Sequence, residues 1–497
     1  MNKEKQYKEI IKSNLNNTLN YGYIPELGEH KSGKVRDVHF TSDKIGSPII
    51  MVASDRISCF DHILSRKIPF KGYILNQLST WAFENSKDVI QNATIESPHP
   101  NVIVQKFCKN IMVECVVRGY VWGSLAGEYE NGKRVLCGEK FEDGLLRYQK
   151  LPEPIFTPTT KSEHDEPMTF EEVEKFIGKE KAKKVKEASL ALFKRASELA
   201  DKSGLIFIDT KYEFGFDEKD EMYLIDEANT PDSSRYCSKE EYAKFADIQK
   251  EMDTGNYKNV SALLKIKPEL KITEMSKQFA RDILTSKGFS YGSDGDIPEL
   301  TDDDVIEISY RYINLYETLT GKDFIFPSGN QKSAMLASLQ TAGFIKGGYA
   351  VIMAGSDSDR PHIEKLQSEL DKYEIKSEVR ICSAHKQPTA CEEAVKSYNE
   401  SLEPIVIIGV AGGTDALSGV ASFHSIHPVI SCPPKATEYT SCIFNPPGSS
   451  NSMILRPANV ARQVAQIFSS VNKELADKLL SDNQLKIDKL VKADKEF

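Results

Sequence analysis

The run from Gly204 to Arg235, GLIFIDTKYEFGFDEKDEMYLIDEANTPDSSR, carries carboxylates, a lysine and an arginine on what reads as a single β-hairpin and the loop behind it. Strict alternation puts Leu205, Phe207, Asp209, Lys211 and Glu213 on one face of a strand, with Ile206, Ile208, Thr210 and Tyr212 on the other. The acidic run Asp217 to Asp220 reverses the chain, and Met222 to Asp226 reads as the return strand. A turn centred between Lys219 and Asp220 sets Glu213 opposite Asp226, with Lys211 one diagonal step away. Two facing carboxylates repel. They ask for a hard divalent cation shared with phosphate oxygens, the usual magnesium arrangement in phosphoryl chemistry. The hydroxyls and guanidinium of Thr230, Ser233, Ser234 and Arg235, with Asp232 among them, suit a phosphorylated ligand beside such an ion.

A second constellation lies far downstream. Tyr349 to Ala354 is an apolar strand ending in Gly355-Ser356-Asp357-Ser358-Asp359 before an amphipathic helix, whose N-terminal amides suit phosphate. Glu378 to Cys382 ends in Ser383-Ala384-His385-Lys386 before a helix that Pro388 can begin, and Pro404 to Val410 ends in Ala411-Gly412-Gly413-Thr414-Asp415. In a doubly wound parallel sheet, ligands bind at the carboxyl ends of the strands, so these three loops should line one pocket. His385, at a strand end among small residues, is placed for proton transfer.

The elements that must position these groups belong to a chain of ordinary globular composition. Its 497 residues are 40% hydrophobic and 28% charged, too many for one core. A net charge of -9 without a basic block argues against nucleic acid or an anionic membrane as the main partner. The polar start MNKEKQYKEI and the lack of a long apolar run are expected of a cytoplasmic protein. Nine scattered cysteines without a CxxC pair suggest reduced thiols.

Several loops emerge from predicted strands of the first half. Lys31 to Asp37 reads as a hairpin turn with Gly33 beside Lys34. Strand Pro48 to Ala53 runs into Ser54-Asp55-Arg56-Ile57-Ser58-Cys59-Phe60-Asp61, and Ile111 to Val117 into Arg118-Gly119-Tyr120-Val121-Trp122-Gly123-Ser124, where Arg118 offers a bidentate donor. Phe156 to Pro167 reads as a long loop of the lid kind, and Glu171 to Lys202 as one helix. Residues 327–347 lose periodicity and read as a connector.

Taken in order, SGKVRD, ASDRISCFD, VVRGYVWGS, FTPTTKSEHDE, DTKYEFG and IDEANTPDSSRY resemble the phosphoribosylaminoimidazole-succinocarboxamide (SAICAR) synthetases, over about residues 20 to 326. The run QFARD through YETLTG is similar to the longer C-terminal helices of that family. GSDSD and SAHK resemble the aminoimidazole ribonucleotide (AIR) carboxylases, over about residues 348 to 486. The resemblance implies an α+β ATP-binding synthetase domain over 1–326, a linker over 327–347, and a flavodoxin-like, doubly wound α/β domain over 348–497. It implies a ligase that joins L-aspartate to carboxylated AIR (CAIR) through an acyl phosphate. Lys34, Lys211 and Glu114 would face ATP, and Glu213 and Asp226 would hold Mg2+. Arg118, Ser124 and Arg235 would grip the ribonucleotide phosphate, with Asp232 near its sugar or imidazole and the aspartate pocket near Ser162 to Asp165. In the second half His385 would take the proton, and Ser356, Asp359, Ser383 and Lys386 would bind the ribonucleotide, with no metal or ATP.

Lys386, Ala416 to Gly419 and Ile430 to Pro434 are similar to the type that uses CO2 directly. Gly413-Thr414-Asp415 departs from that type's Arg-Ser-Asn, and Gly412-Gly413 leans toward the mutase type, which rearranges an N-carboxylated substrate (N5-CAIR). A non-catalytic second half serving as an oligomerisation scaffold is the remaining alternative. The helix about Pro457 to Lys492 is long enough to pack on another copy, and the resemblance implies a homo-octamer.

Overall fold

The computed structural model describes residues 2–162, 165–290, 292, 296–435 and 441–496. The chain divides into two compact units, Met1–Asn20 with Lys31–Gln331, and Tyr21–His30 with Lys332–Phe497. Among the described residues no helix is long and apolar enough to cross a membrane.

The first unit is built on two antiparallel sheets. One contains β1 (Glu29–Ser32, of which Lys31 and Ser32 belong to this unit), β2 (Arg36–Phe40), β3 (Pro48–Ala53), β4 (Thr94–His99) and β5 (Val102–Lys106), in the order β1-β2-β3-β5-β4. The other is built from β6 (Val113–Tyr120), β7 (Lys150–Phe156), β8 (Leu205–Phe216), β9 (Met222–Ile225) and β10 (Ser234–Ser238), along the path β7-β6-β8-β9 with β10 paired to β8. Helices α1 (Lys71–Glu84), α2 (Lys179–Lys202) and α3 (Asp302–Thr320) bury their apolar stripes in one continuous core with these sheets. The expected strand Ile111 to Val117 is shifted. Met112 adopts φ +59, so β6 starts at Val113 and runs on through Tyr120, which makes Arg118 a strand residue. The helix expected over Glu171 to Lys202 is two, because Gly178 at φ +90 separates Phe170–Ile177 from α2.

In the second unit β11 (Tyr349–Ala354), β12 (Ser377–Ile381), β13 (Ile405–Val410), β14 (Val429–Ser431) and β15 (Ser452–Met453) form a parallel sheet in the order β12-β11-β13-β14-β15. Every residue of β11 and β13 is buried, as continuous apolar runs in a parallel sheet require. Alternation then feeds two cores. Ala350, Ile352 and Ala354 meet α4 (Arg360–Asp371) and α7 (Pro457–Phe468), while Val351 and Met353 meet α5 (Pro388–Tyr398) and α6 (Ala416–His424). The final helix is shorter than expected: α7 stops at Phe468, and the Asn472 side chain accepts from Leu475 N at 3.0 Å as α8 (Lys473–Glu496) begins. The connector expected at 327–347 contains a helix, Gln331–Thr341, whose Met335 and Leu339 are buried.

Residues Tyr21–His30 complete the second unit from near the start of the chain. The Glu26 carboxylate accepts from Lys346 N at 2.7 Å and Gly347 N at 3.0 Å, and Glu26 N donates to the Glu403 carboxyl at 2.6 Å. Lys376 Nζ donates to the Glu26 carbonyl at 2.8 Å, and Leu402 N to the Tyr23 carbonyl at the same distance. Burial, with the Glu26 charge second, pushes the Glu403 carboxyl well above the usual range. A carboxyl raised in the folded state contributes stability below its unfolded pKa and loses it as pH rises through the folded value. The second unit should therefore lose thermal stability as pH rises above the ordinary carboxylate range. Glu403→Gln, which keeps an acceptor for Glu26 N, should flatten that dependence in melting curves recorded across pH.

Candidate functional site

Strand β8 carries the first site, but not by simple alternation. Opposite β10, Phe207 pairs with Tyr236 and Asp209 with Arg235, so Ile208 is an extra residue. Leu205 and Phe207 before the bulge share the main core with Tyr212 and Phe214 after it, whereas Ile206 and Ile208 join a separate cluster. The expected common face of Leu205, Phe207 and Asp209 is thus broken at the bulge. Asp209 and Lys211 are freed from the core and line a cavity of about 570 Å³ together with Glu114 and Arg118 of β6.

The hairpin register also differs from the expected one. Glu213 pairs with Ile225 and Phe216 with Met222, which leaves Asp217 to Glu221 as the turn. Asp226 falls one residue past the pairing, at φ +62, with its N–H and carbonyl both held by the Gln105 side chain at 3.1 Å. Glu213 and Asp226 are therefore not a cross-strand pair, and neither lines the cavity. They still sense each other: burial, and after it the Glu213 charge, raises the Asp226 carboxyl. Lys161 bridges to Glu213 Oε2, Lys211 Nζ stands 3.9 Å from Glu213 Oε1, and Asn110 donates to Glu213 Oε2 at 3.1 Å. Lys211 also bridges to Glu114. Burial opposes the Lys211 charge, but Glu114 and Glu213 outweigh it and hold its pKa above the ordinary value.

Four cations around the cavity, Lys34, Arg118, Lys211 and Arg235, come with counter-ions. Asp209 Oδ2 lies 3.2 Å from Arg118 Nη1 and 2.6 Å from Arg235 Nη1, and Arg235 Nε is 3.3 Å from Glu274. Arg118 further donates to Thr157 at 3.0 Å and Ser124 at 3.3 Å. Gly123 makes room for Arg235: at φ +54, a Cβ there would stand 2.7 Å from Nη1. Lys34 pairs with Asp61 at 2.6 Å. Asp232 is clamped by Lys71 Nζ at 2.7 Å on one oxygen and by the Tyr312 hydroxyl at 2.7 Å on the other. Burial disfavours the charge on Asp232, yet Lys71 and Lys277 hold its pKa well below the usual carboxylate range.

Lys34, Glu114, Arg118, Ser124, Lys211, Asp232 and Arg235 are thus brought to one cavity, as the sequence suggested. Of the lid expected to hold the amino acid, Glu163 and His164 lie outside the described residues, and Asp165 lines the cavity. Sequence reasoning gave no role to Asp209, and it passed over Lys71, Lys161, Tyr312, Lys277 and Arg281. Lys71 carried a signal, a lone cation in the apolar run IPFKGYIL, and it is fully buried.

In the second unit the loops after β11, β12 and β13 line a cavity of about 910 Å³ that collects Ser356, Asp359, Ser383, His385 and Lys386 with Gly412, Gly413 and Thr414. His385 is exposed there. Burial raises Asp359. His362, unremarked in the sequence, also lines the cavity with Nε2 3.1 Å from the Cys432 carbonyl, and burial pushes its pKa down. Asp415 points elsewhere. It is buried, caps α6 through Ser418 N at 2.8 Å, and takes the Ser431 hydroxyl.

Comparison with known proteins follows this division. Residues 29–266 match the model of SAICAR synthetase, and residues 349–489 that of AIR carboxylase. The phosphoribosylaminoimidazole-succinocarboxamide synthase of Cytophaga hutchinsonii is 40% identical over 318 residues, covering 62% of this chain and 94% of that protein. The chain belongs to the SAICAR synthetase family. A solved SAICAR-synthase from Saccharomyces cerevisiae, complexed with SAICAR, aligns with TM-score 0.51 and 29% identity over 62% of this chain and all of that one. Treponema denticola PurE is 32% identical over 30% of this chain and 98% of its own, with TM-score 0.28. The protein is a bifunctional enzyme, an ATP-dependent SAICAR synthetase with an AIR carboxylase-like domain behind it.

In the synthetase, Gly123→Ala meets two obstacles at once. A left-handed backbone costs a non-glycine residue about 1–2 kcal/mol, and the added methyl collides with the Arg235 guanidinium. The variant should melt a few degrees lower and need more ribonucleotide for half-maximal synthetase rate, with the ATP requirement unchanged. Steady-state kinetics with each substrate varied in turn checks this.

Proposed function

We propose that the carboxylase unit adds carbon dioxide directly to AIR, and that the synthetase unit joins the resulting CAIR to L-aspartate with ATP, giving SAICAR, ADP and phosphate. What carries the reading is the pair of separate cavities. One is lined by lysines and arginines with acidic partners, the other by three strand-end loops that carry His385, with His362 beside them. In the synthetase, Arg118, Ser124 and Arg235 take the ribonucleotide phosphate, and Asp232, fixed by Lys71 and Tyr312, faces its sugar or imidazole. Lys34 and Lys211 face the ATP phosphates, Lys211 kept charged by Glu114. The CAIR carboxylate takes the γ-phosphoryl group. The aspartate amine then attacks that acyl carbon, a C–N bond forms, and phosphate leaves with the bonding pair as the amine loses its proton.

Glu213 and Asp226 suit Mg2+, since a cation relieves the cost that burial and the nearby Glu213 charge place on ionising Asp226. Among the described residues no cluster of three or more His, Cys, Asp or Glu side chains forms a cage, and an ion held by two carboxylates would take its further oxygens from phosphate and water. Bound there, the ion would neutralise charge on the phosphates.

In the carboxylase unit, which we read as doubly wound from the helices on both faces of its sheet, the new C–C bond forms at the imidazole carbon and His385 accepts the proton that carbon loses. Ser356, Asp359, Ser383 and Lys386 hold the ribonucleotide. The departure at Gly413 to Asp415 is smaller than it looks. Asp415 caps α6, a task open equally to Asn, and Thr414 retains a hydroxyl at the cavity. Only Gly413 lacks a side chain, and it favours the mutase as the second reading. The domain limits 1–326 and 348–497 and a homo-octamer belong to the same proposal. Leu480 and Leu490, exposed on α8, supply apolar surface for another copy.

The full chain, given AIR, should form CAIR in proportion to bicarbonate. His385→Asn should cut that rate by at least about 10²-fold, while the synthetase rate on supplied CAIR stays at the wild-type level. Conversion of N5-CAIR without a response to bicarbonate would establish the mutase instead, and loss of both activities in a folded variant would contradict separate sites.

A further inference from the structure

The carboxylase cavity has a fourth wall beside its three strand-end loops. The turn that follows β14, Cys432 to Lys435, contributes Pro434 and Lys435 to the lining. This turn is hard to hold by its own amides. Cys432 N is spent on the Gly409 carbonyl at 2.8 Å, and Pro433 and Pro434 after it have no N–H to give. The backbone handle left at the start of the turn is the Cys432 carbonyl, and it lies 3.1 Å from His362 Nε2. His362 stands in the first turn of α4, three residues after Asp359, and both line the cavity. Asp359 in turn sits against the loop after β13, where a Cβ at Gly412 would stand 3.2 Å from its carboxylate. The start of α4 is therefore seated on the loops of two strands at once.

A carbonyl can only accept, so the ring nitrogen that faces it carries the proton. The Cys432 sulfur, 3.3 Å from the same nitrogen, fits this, since burial pushes the thiol up to about 12 and keeps it neutral. Burial also pushes His362 below the ordinary histidine value, against the nearby Asp359 charge and with that of Lys365. The ring is thus neutral, with its one hydrogen committed to the wall, and it makes a poor base. His385, exposed on its loop, meets the ligand instead. We infer that His362 is a positioning residue of the carboxylase, whose Nε2–H ties the Cys432–Pro434 turn to the start of α4 and so sets the width of the cavity between Pro434 and Asp359. The inference rests on the carboxylase reading above for its ligand, and holds equally for direct carboxylation and for the mutase.

The test uses the full chain with AIR varied at saturating bicarbonate, or N5-CAIR varied if the unit is a mutase, and takes the synthetase rate on supplied CAIR as the measure of an intact fold. His362→Gln sets an amide N–H where Nε2 stands and should keep the ribonucleotide KM near the wild-type value. His362→Asn, whose shorter amide falls short of the carbonyl, and His362→Leu should each raise that KM about tenfold, the range of one buried hydrogen bond, with kcat lowered far less. Cys432→Ala, which removes the sulfur and keeps the carbonyl, should resemble the wild type. Gln and Asn variants impaired alike, an unchanged KM in the Asn variant, a loss confined to kcat, or a Cys432→Ala chain that behaves as His362→Leu would each overturn the assignment. A wild-type chain that converts neither AIR nor N5-CAIR would instead overturn the carboxylase reading beneath it.

Discussion

One extra residue in one strand governs the synthetase cavity. With Ile208 bulged, β8 spends its first turn of alternation on the core and its second on the ligand. Without it, the face that buries Leu205 and Phe207 would also bury Asp209, Lys211 and Glu213, leaving charges in hydrocarbon. The bulge hands core duty to Tyr212 and Phe214, and Asp209 emerges directly across from Arg118 on one neighbour and Arg235 on the other. From that point the electrostatics follow by proximity: a single carboxylate holds two guanidiniums together at the cavity.

The two units line their cavities differently. The parallel sheet needs little charge, because strand ends and helix starts bring backbone amides and hydroxyls together, and its cavity contains few ions besides Lys386, Lys435 and Asp359. The antiparallel sheets draw instead on side chains. Their cavity relies on long cationic side chains, each of which must be steered and neutralised, hence Asp209, Glu114 and the buried Lys71–Asp232 pair.

How much of this was legible followed from the range of the interactions involved. β11 could be read from Tyr349 to Ala354 because an unbroken apolar run between glycines has one outcome, and the loops after the parallel strands inherit their place from it. The hairpin was legible as a hairpin, yet its register rested on Asp220 and Asp226, both at positive φ, which no alternation pattern reports. Gly178 gave a sequence signal for the break before α2, and it was outweighed by periodicity on both sides. Tyr312 could not be connected to Asp232 at all, since the two meet only when α3 is laid against the core. Glu26 is the extreme case, joined to groups more than three hundred positions away.

That last connection has a bearing on how the chain comes into being. Glu26 leaves the ribosome early, and its partners Gly347 and Glu403 follow 321 and 377 residues later. At ordinary synthesis rates of about 5–20 residues per second, the segment waits on the order of tens of seconds for these partners. The second unit closes only after the residues that lead into β11 and β13 meet one of the first-made segments. Its birth is tied to the presence of an intact beginning, so a message or protease that separates the two activities also removes a piece of the carboxylase.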